Sequence, residues 1–140
     1  MDRSWFDAMA ADARSRPDVY RRLGLADLRL VVQETDGAVT RSFGLVLDGY
    51  DVEAVGELAD VEAFRPDAVV RGPRASWDEM VAAIIAHGGA DGAHTLNTLS
   101  IADVPLQVTA VDPMGHDKVY RYAETLQTLF DALAGAPIAV

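Results

Sequence analysis

Apolar residues recur along this chain at two spacings, and the places where the spacing changes divide it into elements. Over residues 4–14, Trp5, Phe6, Met9 and Ala13 fall at helical spacing, which predicts an amphipathic helix. Pro17 suits the first turn of a second short helix, carried through Val19, Tyr20 and Leu23 and ended by Gly24. From Leu28 the period shortens. Three extended stretches, 28–35, 39–47 and 50–58, are separated by Asp36-Gly37 and Asp48-Gly49. Asp-Gly between apolar runs marks a hairpin, because glycine accepts the positive φ of a tight turn. A three-stranded antiparallel meander is therefore expected. Its second strand puts Phe43, Leu45 and Leu47 on one face, and its third alternates acids with Val52 and Ala54, imperfectly near Val55-Gly56.

Residues 67–71 form a fourth β-rich piece, stopped by Gly72-Pro73. Ser76, with Glu79 three residues on, then predicts a capping box. Behind it Trp77, Met80, Val81, Ile84 and Ile85 make one broad apolar stripe, which Gly88-Gly89 ends. Asp91 is placed to cap a further turn or two carrying His94, Leu96 and Leu99. Strand chemistry returns over 100–111, where Leu106, Val108 and Ala110 alternate with Gln107 and Thr109. Pro113 to Gly115 breaks it. A final helix is expected over 116–133, through Val119, Tyr122, Leu126, Leu129, Phe130 and Leu133, with Gly135 and Pro137 terminating it. The order predicts an α+β domain: an antiparallel sheet covered on one face by helices.

Length and charge narrow the possibilities. A domain of 140 residues buries about two-thirds of the surface of its unfolded chain, so a true core needs no metal or disulfide staple. One domain is expected, made of a helical segment over 1–24, a core over 25–135 and a tail over 136–140. The formal charge of −10, with a single lysine, Lys118, weighs against nucleic acid or an anionic membrane as the main partner. The local cluster Arg14, Arg16, Arg21 and Arg22 is interleaved with Asp12 and Asp18. Between Asp48 and Asp67 stand seven acids against Arg65, which reads as a solvated sheet face and loop. No secretory signal and no membrane-length apolar run is visible, and the expected location is cytoplasmic.

The absence of cysteine removes thiolate catalysis, disulfides and cysteine-based metal sites. Phosphate-loop, dinucleotide, nucleophile-elbow and His-Glu-x-x-His signatures are also missing, so no cofactor or metal is expected. None of His87, His94 and His116 has a metal-like partner at i, i+4. His87 falls at a helix C-terminus, where a cation suits the dipole. His94 lies near Asp91 as a cap or surface residue, and His116 opens the last helix between Asp112 and Asp117.

The stretch Arg65-Pro66-Asp67-Ala68-Val69-Val70-Arg71-Gly72-Pro73-Arg74-Ala75-Ser76-Trp77-Asp78-Glu79-Met80 resembles the middle of the sterol carrier protein type-2 family. There a strand ending in glycine leads through a polar turn into a helix. The hairpin around Asp48-Gly49 resembles the family's second and third strands, and the likeness runs from about Leu25 to Leu133. Residues 96–103 depart from it, lacking the glycines with which the family opens its next strand. The resemblance implies a five-stranded, largely antiparallel sheet whose helices enclose an apolar tunnel for a sterol, fatty acyl chain or similar hydrophobe. The residues expected to line it are Phe43, Leu45, Trp77, Met80, Val81, Ile84, Leu126 and Phe130. A homodimer or partner enzyme stays open.

Two other readings also stay open. One is a cofactor-free isomerase, cyclase or hydratase acting through a buried Asp103, Asp112, Tyr120 or Tyr122. The other is an accessory subunit with a filled core. The apolar tail, 136–140, is expected to fold over the pocket mouth or to make a dimer contact.

Overall fold

A computed structural model describes residues 1–138 of the chain. Helices α1 (Arg3–Ser15) and α2 (Pro17–Leu23) lead into strands β1 (Ala26–Asp36), β2 (Val39–Gly49) and β3 (Asp51–Glu57). A short helix α3 (Val61–Phe64) precedes β4 (Ala68–Pro73), α4 (Arg74–His87), α5 (Leu96–Ser100) and β5 (Gln107–Thr109). The chain closes with α6 (Pro113–Arg121), α7 (Ala123–Asp131) and a 3-10 turn (Ala132–Gly135).

The five strands lie in the order β3-β2-β1-β4-β5. The two predicted hairpins pair antiparallel, with Leu28 opposite Leu47 and Leu30 opposite Leu45. The irregularity near Val55-Gly56 is a bulge: Gly44 pairs with Gly56 and Leu45 with Ala54, leaving Val55 extra. β5 joins β4 antiparallel, but β4 lies parallel to β1, so the sheet is mixed though mostly antiparallel. To reach that place the chain after β3 must cross the sheet. It does so on the face away from the main helices, where Phe64 of α3 lies over Gly44 and the Arg29 guanidinium stacks on the Phe64 ring at 4.3 Å. A Cβ on Gly44 would stand 3.0 Å from that ring. Helices therefore cover one face, and this one crossover covers part of the other.

Five local expectations are corrected. Gly72-Pro73 does not stop the strand; both belong to β4, which runs directly into α4. Pro73 itself takes the N-cap position, where its missing N–H costs nothing. The helix thus starts before Ser76, and the Ser76–Glu79 capping box does not form. The strand expected over 100–111 shrinks to three residues, because 96–100 are helical and 101–106 turn through a cis Val104-Pro105 bond. Pro113 to Gly115 do not separate the strand from a helix beginning at 116; they are the first turn of that helix, with Asp112 accepting a hydrogen bond from Gly115 N at 2.9 Å. The last helix is divided at Tyr122, whose ψ of 19° ends α6 and begins α7.

Candidate functional site

The alternation of β1 and β2 sends Leu28, Leu30 and Val32, with Phe43, Leu45 and Leu47, to the helix-covered face. Above them lie Phe6 and Met9 of α1, the Trp77–Ile84 stripe of α4, and Leu126, Leu129 and Phe130 of α7. Phe6 stacks on Phe43 with ring centroids 5.0 Å apart, and Trp77 stacks on Phe130 at 5.9 Å. The Trp77 Nε1–H donates to Gln33 O at 3.1 Å, which satisfies its polar atom. The eight residues expected to line a tunnel all lie in this one cluster, none more than 1% exposed. Side chains fill the layer around them.

A hollow opens at one end of that layer, between α2 and the β2–β3 turn. A slot of about 10 Å³ is lined by Tyr20, Ala26, Leu47, Val52 and Thr125 among others. It lies beside an open cleft of about 420 Å³ lined by Ala13, Arg14, Pro17, Arg21, Tyr50, Asp51 and Val52. Tyr50, Asp51 and Val52 border both. Leu47 is the end of the row Leu47–Leu45–Phe43, so the slot meets the filled layer at its edge. Arg14 and Arg21 have no carboxylate within 4.0 Å among the described residues.

Asp12 holds the α1–α2 corner behind this cleft, accepting from the Arg16 guanidinium and, at 2.7 Å, from the Tyr20 hydroxyl. Burial pushes the Asp12 carboxyl up, but the hydrogen bonds from Arg16 and Tyr20 outweigh it and leave the carboxyl below its ordinary range. Burial, then the Asp12 contact, pushes the Tyr20 hydroxyl up. A carboxyl lowered in the folded state contributes stability that is present above its unfolded pKa, near about 3.9, and is lost as pH falls through the folded value. In an acid titration followed by circular dichroism, Asp12→Asn is expected to lose less stability below about pH 4 than the parent.

The residues proposed for acid–base work do not come together. Asp103 is exposed, and Asp112 is spent on capping α6. The Tyr120 hydroxyl donates to Ser100 O at 3.2 Å, and Tyr122 is half-buried at the α6–α7 break. His87 Nδ1 lies 2.9 Å from Ala83 O, as its helix-end reading expects. His116 does not open its helix; it lies inside α6, its ring 5.3 Å from that of Tyr120. No group of three His, Asp or Glu among the described residues is placed to hold a metal ion.

One buried acid went unread in the sequence. Glu34, 3% exposed on the helix-covered side of β1, lies 3.2 Å from the Met1 amine and 3.4 Å from Arg41. Arg41 also pairs in bidentate fashion with Glu57 across the sheet. Glu34 sits in the even positions of an apolar alternation, and only the partners brought by β2 and the N-terminal amine make it tolerable there. Of the tail, Ala136 and Pro137 border a hollow beside α1 and Ile138 packs on the core, whereas none of them lines the α2 cleft. Residues 139 and 140 lie outside the described residues.

The mostly antiparallel five-stranded sheet and its layer of helices match the fold of solved sterol carrier protein structures. A crystal structure of sterol carrier protein 2 superposes with a TM-score of 0.64, at 14% identity, over 97% of each chain. A solution structure from Thermus thermophilus, of a conserved hypothetical protein described as a candidate sterol carrier protein, superposes with a TM-score of 0.59 at 13% identity. That match covers 97% of this chain and 90% of the other. At such identities the likeness is one of fold. No protein-family model and no curated protein sequence matches the chain. No helix among the described residues is long and apolar enough to cross a membrane.

Proposed function

We propose that this protein binds and carries one hydrophobic small molecule between its sheet and its helices. The supporting observation is the α2 cleft. Its inner slot meets the apolar row Leu47–Leu45–Phe43 at Leu47, and its wall offers two arginines, Arg14 and Arg21, without a carboxylate partner among the described residues. An acyl chain with a carboxylate head fits that combination better than an uncharged sterol. The chain would take its apolar area out of water at roughly 25 cal/mol per Å², while Arg14 and Arg21 hold the head. Phe43, Leu45, Trp77, Met80, Val81, Ile84, Leu126 and Phe130 are the residues a chain would meet as it displaced the packing of the layer. The closeness of that packing favours the second reading, an accessory subunit with a filled core.

Native mass spectrometry of the purified protein, with organic extraction and titration by a fluorescent fatty acid, separates the two. One acyl adduct or one saturable site per chain is the expected result. The double substitution Arg14→Ala, Arg21→Ala is expected to weaken the fatty-acid probe by about tenfold or more, since a hydrogen bond to a charged group contributes about 1.5–3 kcal/mol. A fluorescent sterol should be unaffected by that change. A protein that is empty and binds neither probe would reject carriage in favour of the filled-core subunit.

A further inference from the structure

Between α4 and α5 the chain turns back along the helix layer, and its hydrogen bonds tie it to two helices. On α7, Asp131 accepts from Ala90 N at 3.0 Å and Gln127 accepts from Leu96 N at 2.7 Å, while the Gln127 amide donates to Asp131. On α4 the tie is made through His94. Its Nδ1 lies 2.7 Å from Asp91 Oδ1 and its Nε2 lies 3.1 Å from Glu79 Oε1. Leu96, two residues further, is buried in the core. The segment therefore crosses the helix layer as a strap and drives one leucine into it.

A neutral imidazole carries one N–H and an imidazolium carries two. With a carboxylate at each ring nitrogen, both contacts are hydrogen bonds only when His94 is protonated. The two are not equivalent. Asp91 Oδ1 also accepts from Ala93 N and His94 N, each at 3.0 Å, so the local turn holds it beside Nδ1 in either state. Deprotonation then falls on Nε2, leaving a lone pair facing the Glu79 carboxylate. That contact spans 15 residues and joins two elements, whereas the Asp91 contact spans three. Glu79 from α4 and Asp91 from the strap are the acids within 4.0 Å of the ring among the described residues, and Asp131 of α7 is engaged with Ala90 and Gln127.

We propose that residues 88–100 are a strap latched to α4 by the His94–Glu79 contact, closed while His94 is protonated and released from α4 when it loses its proton. The hydrogen bond to Asp91 first, and that to Glu79 second, hold the imidazolium above the usual histidine range. A raised folded-state value means that the latch is fully present below the unfolded pKa, near about 6.5, and is lost as pH climbs through the folded one. The latch stands on this geometry whether or not the protein carries a lipid.

The test uses NMR on the intact chain without ligand. The His94 ring is titrated and its midpoint compared with the unperturbed histidine value, about 6.5. Amide exchange over 90–96 is compared at about pH 5.5 and about pH 8.5, with intrinsic rates divided out. His94 should titrate above that unperturbed value, and exchange should speed up about two- to fivefold at the higher pH, the size expected of a partly exposed ion pair. In Glu79→Gln the replacing amide can donate to the neutral Nε2, so the pH step should vanish. Glu79 is exposed, and its replacement leaves the core untouched. The proposal is overturned if His94 titrates at or below that value, if exchange does not change with pH, or if Glu79→Gln keeps the parent's step.

Discussion

Replacing Trp77 by alanine is expected to lower stability by about 3–5 kcal/mol, the range for emptying a large buried aromatic site. Trp77 has no solvent exposure, stacks on Phe130 and anchors α4 to β1 through Gln33 O. Its removal therefore takes away contact area, an aromatic pair and the hydrogen bond joining helix to sheet. Urea unfolding followed by circular dichroism reads the loss directly. The size of the effect also bears on function. In a filled layer every face of the indole has partners, so the full cost applies. Beside a preformed tunnel one face would have none, and the loss would drop to about 2 kcal/mol or less. A small loss, together with tighter binding of the fatty-acid probe, would favour a hollow interior in solution.

Gly115→Ala is expected to be the most damaging change for its size. In the interior of a helix this substitution ordinarily stabilises by about 1 kcal/mol. Here the added Cβ would stand 2.0 Å from the Asp67 carbonyl oxygen and 3.2 Å from Ala110 Cβ. The oxygen belongs to backbone at the approach to β4, which cannot swing aside as a side chain can. Relief requires α6 to shift away from the sheet, at a cost of about 1–3 kcal/mol or more. That shift would also strain the Lys118 contacts with Asp27, at 3.3 Å, and Asp67, at 3.6 Å. Gly92, where an added Cβ meets nothing within 4 Å, is the control, and Gly92→Ala should change stability by no more than about 0.5 kcal/mol. Thermal unfolding of the two variants side by side tests the contrast. A neutral or stabilising Gly115→Ala would mean that α6 does not lie on β4 as described.

Much of this protein was legible along the chain because the relevant signals are local. Two Asp-Gly turns between alternating runs determine the β1–β2–β3 meander, and the alternation alone sends Phe43, Leu45 and Leu47 to one face. The helical spacing of Trp77, Met80, Val81 and Ile84, and of Leu126 and Phe130, marks the stripes that meet over that face. What the tertiary structure decided involves partners distant in the chain. Periodicity contains no information on which strand lies beside β1, so the parallel β4 and the Phe64 crossover were not readable. Ser76 carried a sound capping signal, but the register of β4 on β1 brings Pro73 to the end of the strand and starts the helix earlier. Glu79, freed from that role, meets His94. Gly115 reads along the chain as part of the break after a strand, and becomes a requirement of close packing only because Asp67, 48 residues earlier, lies against it. Local backbone preference acts over a few residues at a time, whereas burial, ion pairing and steric exclusion depend on what the fold places opposite.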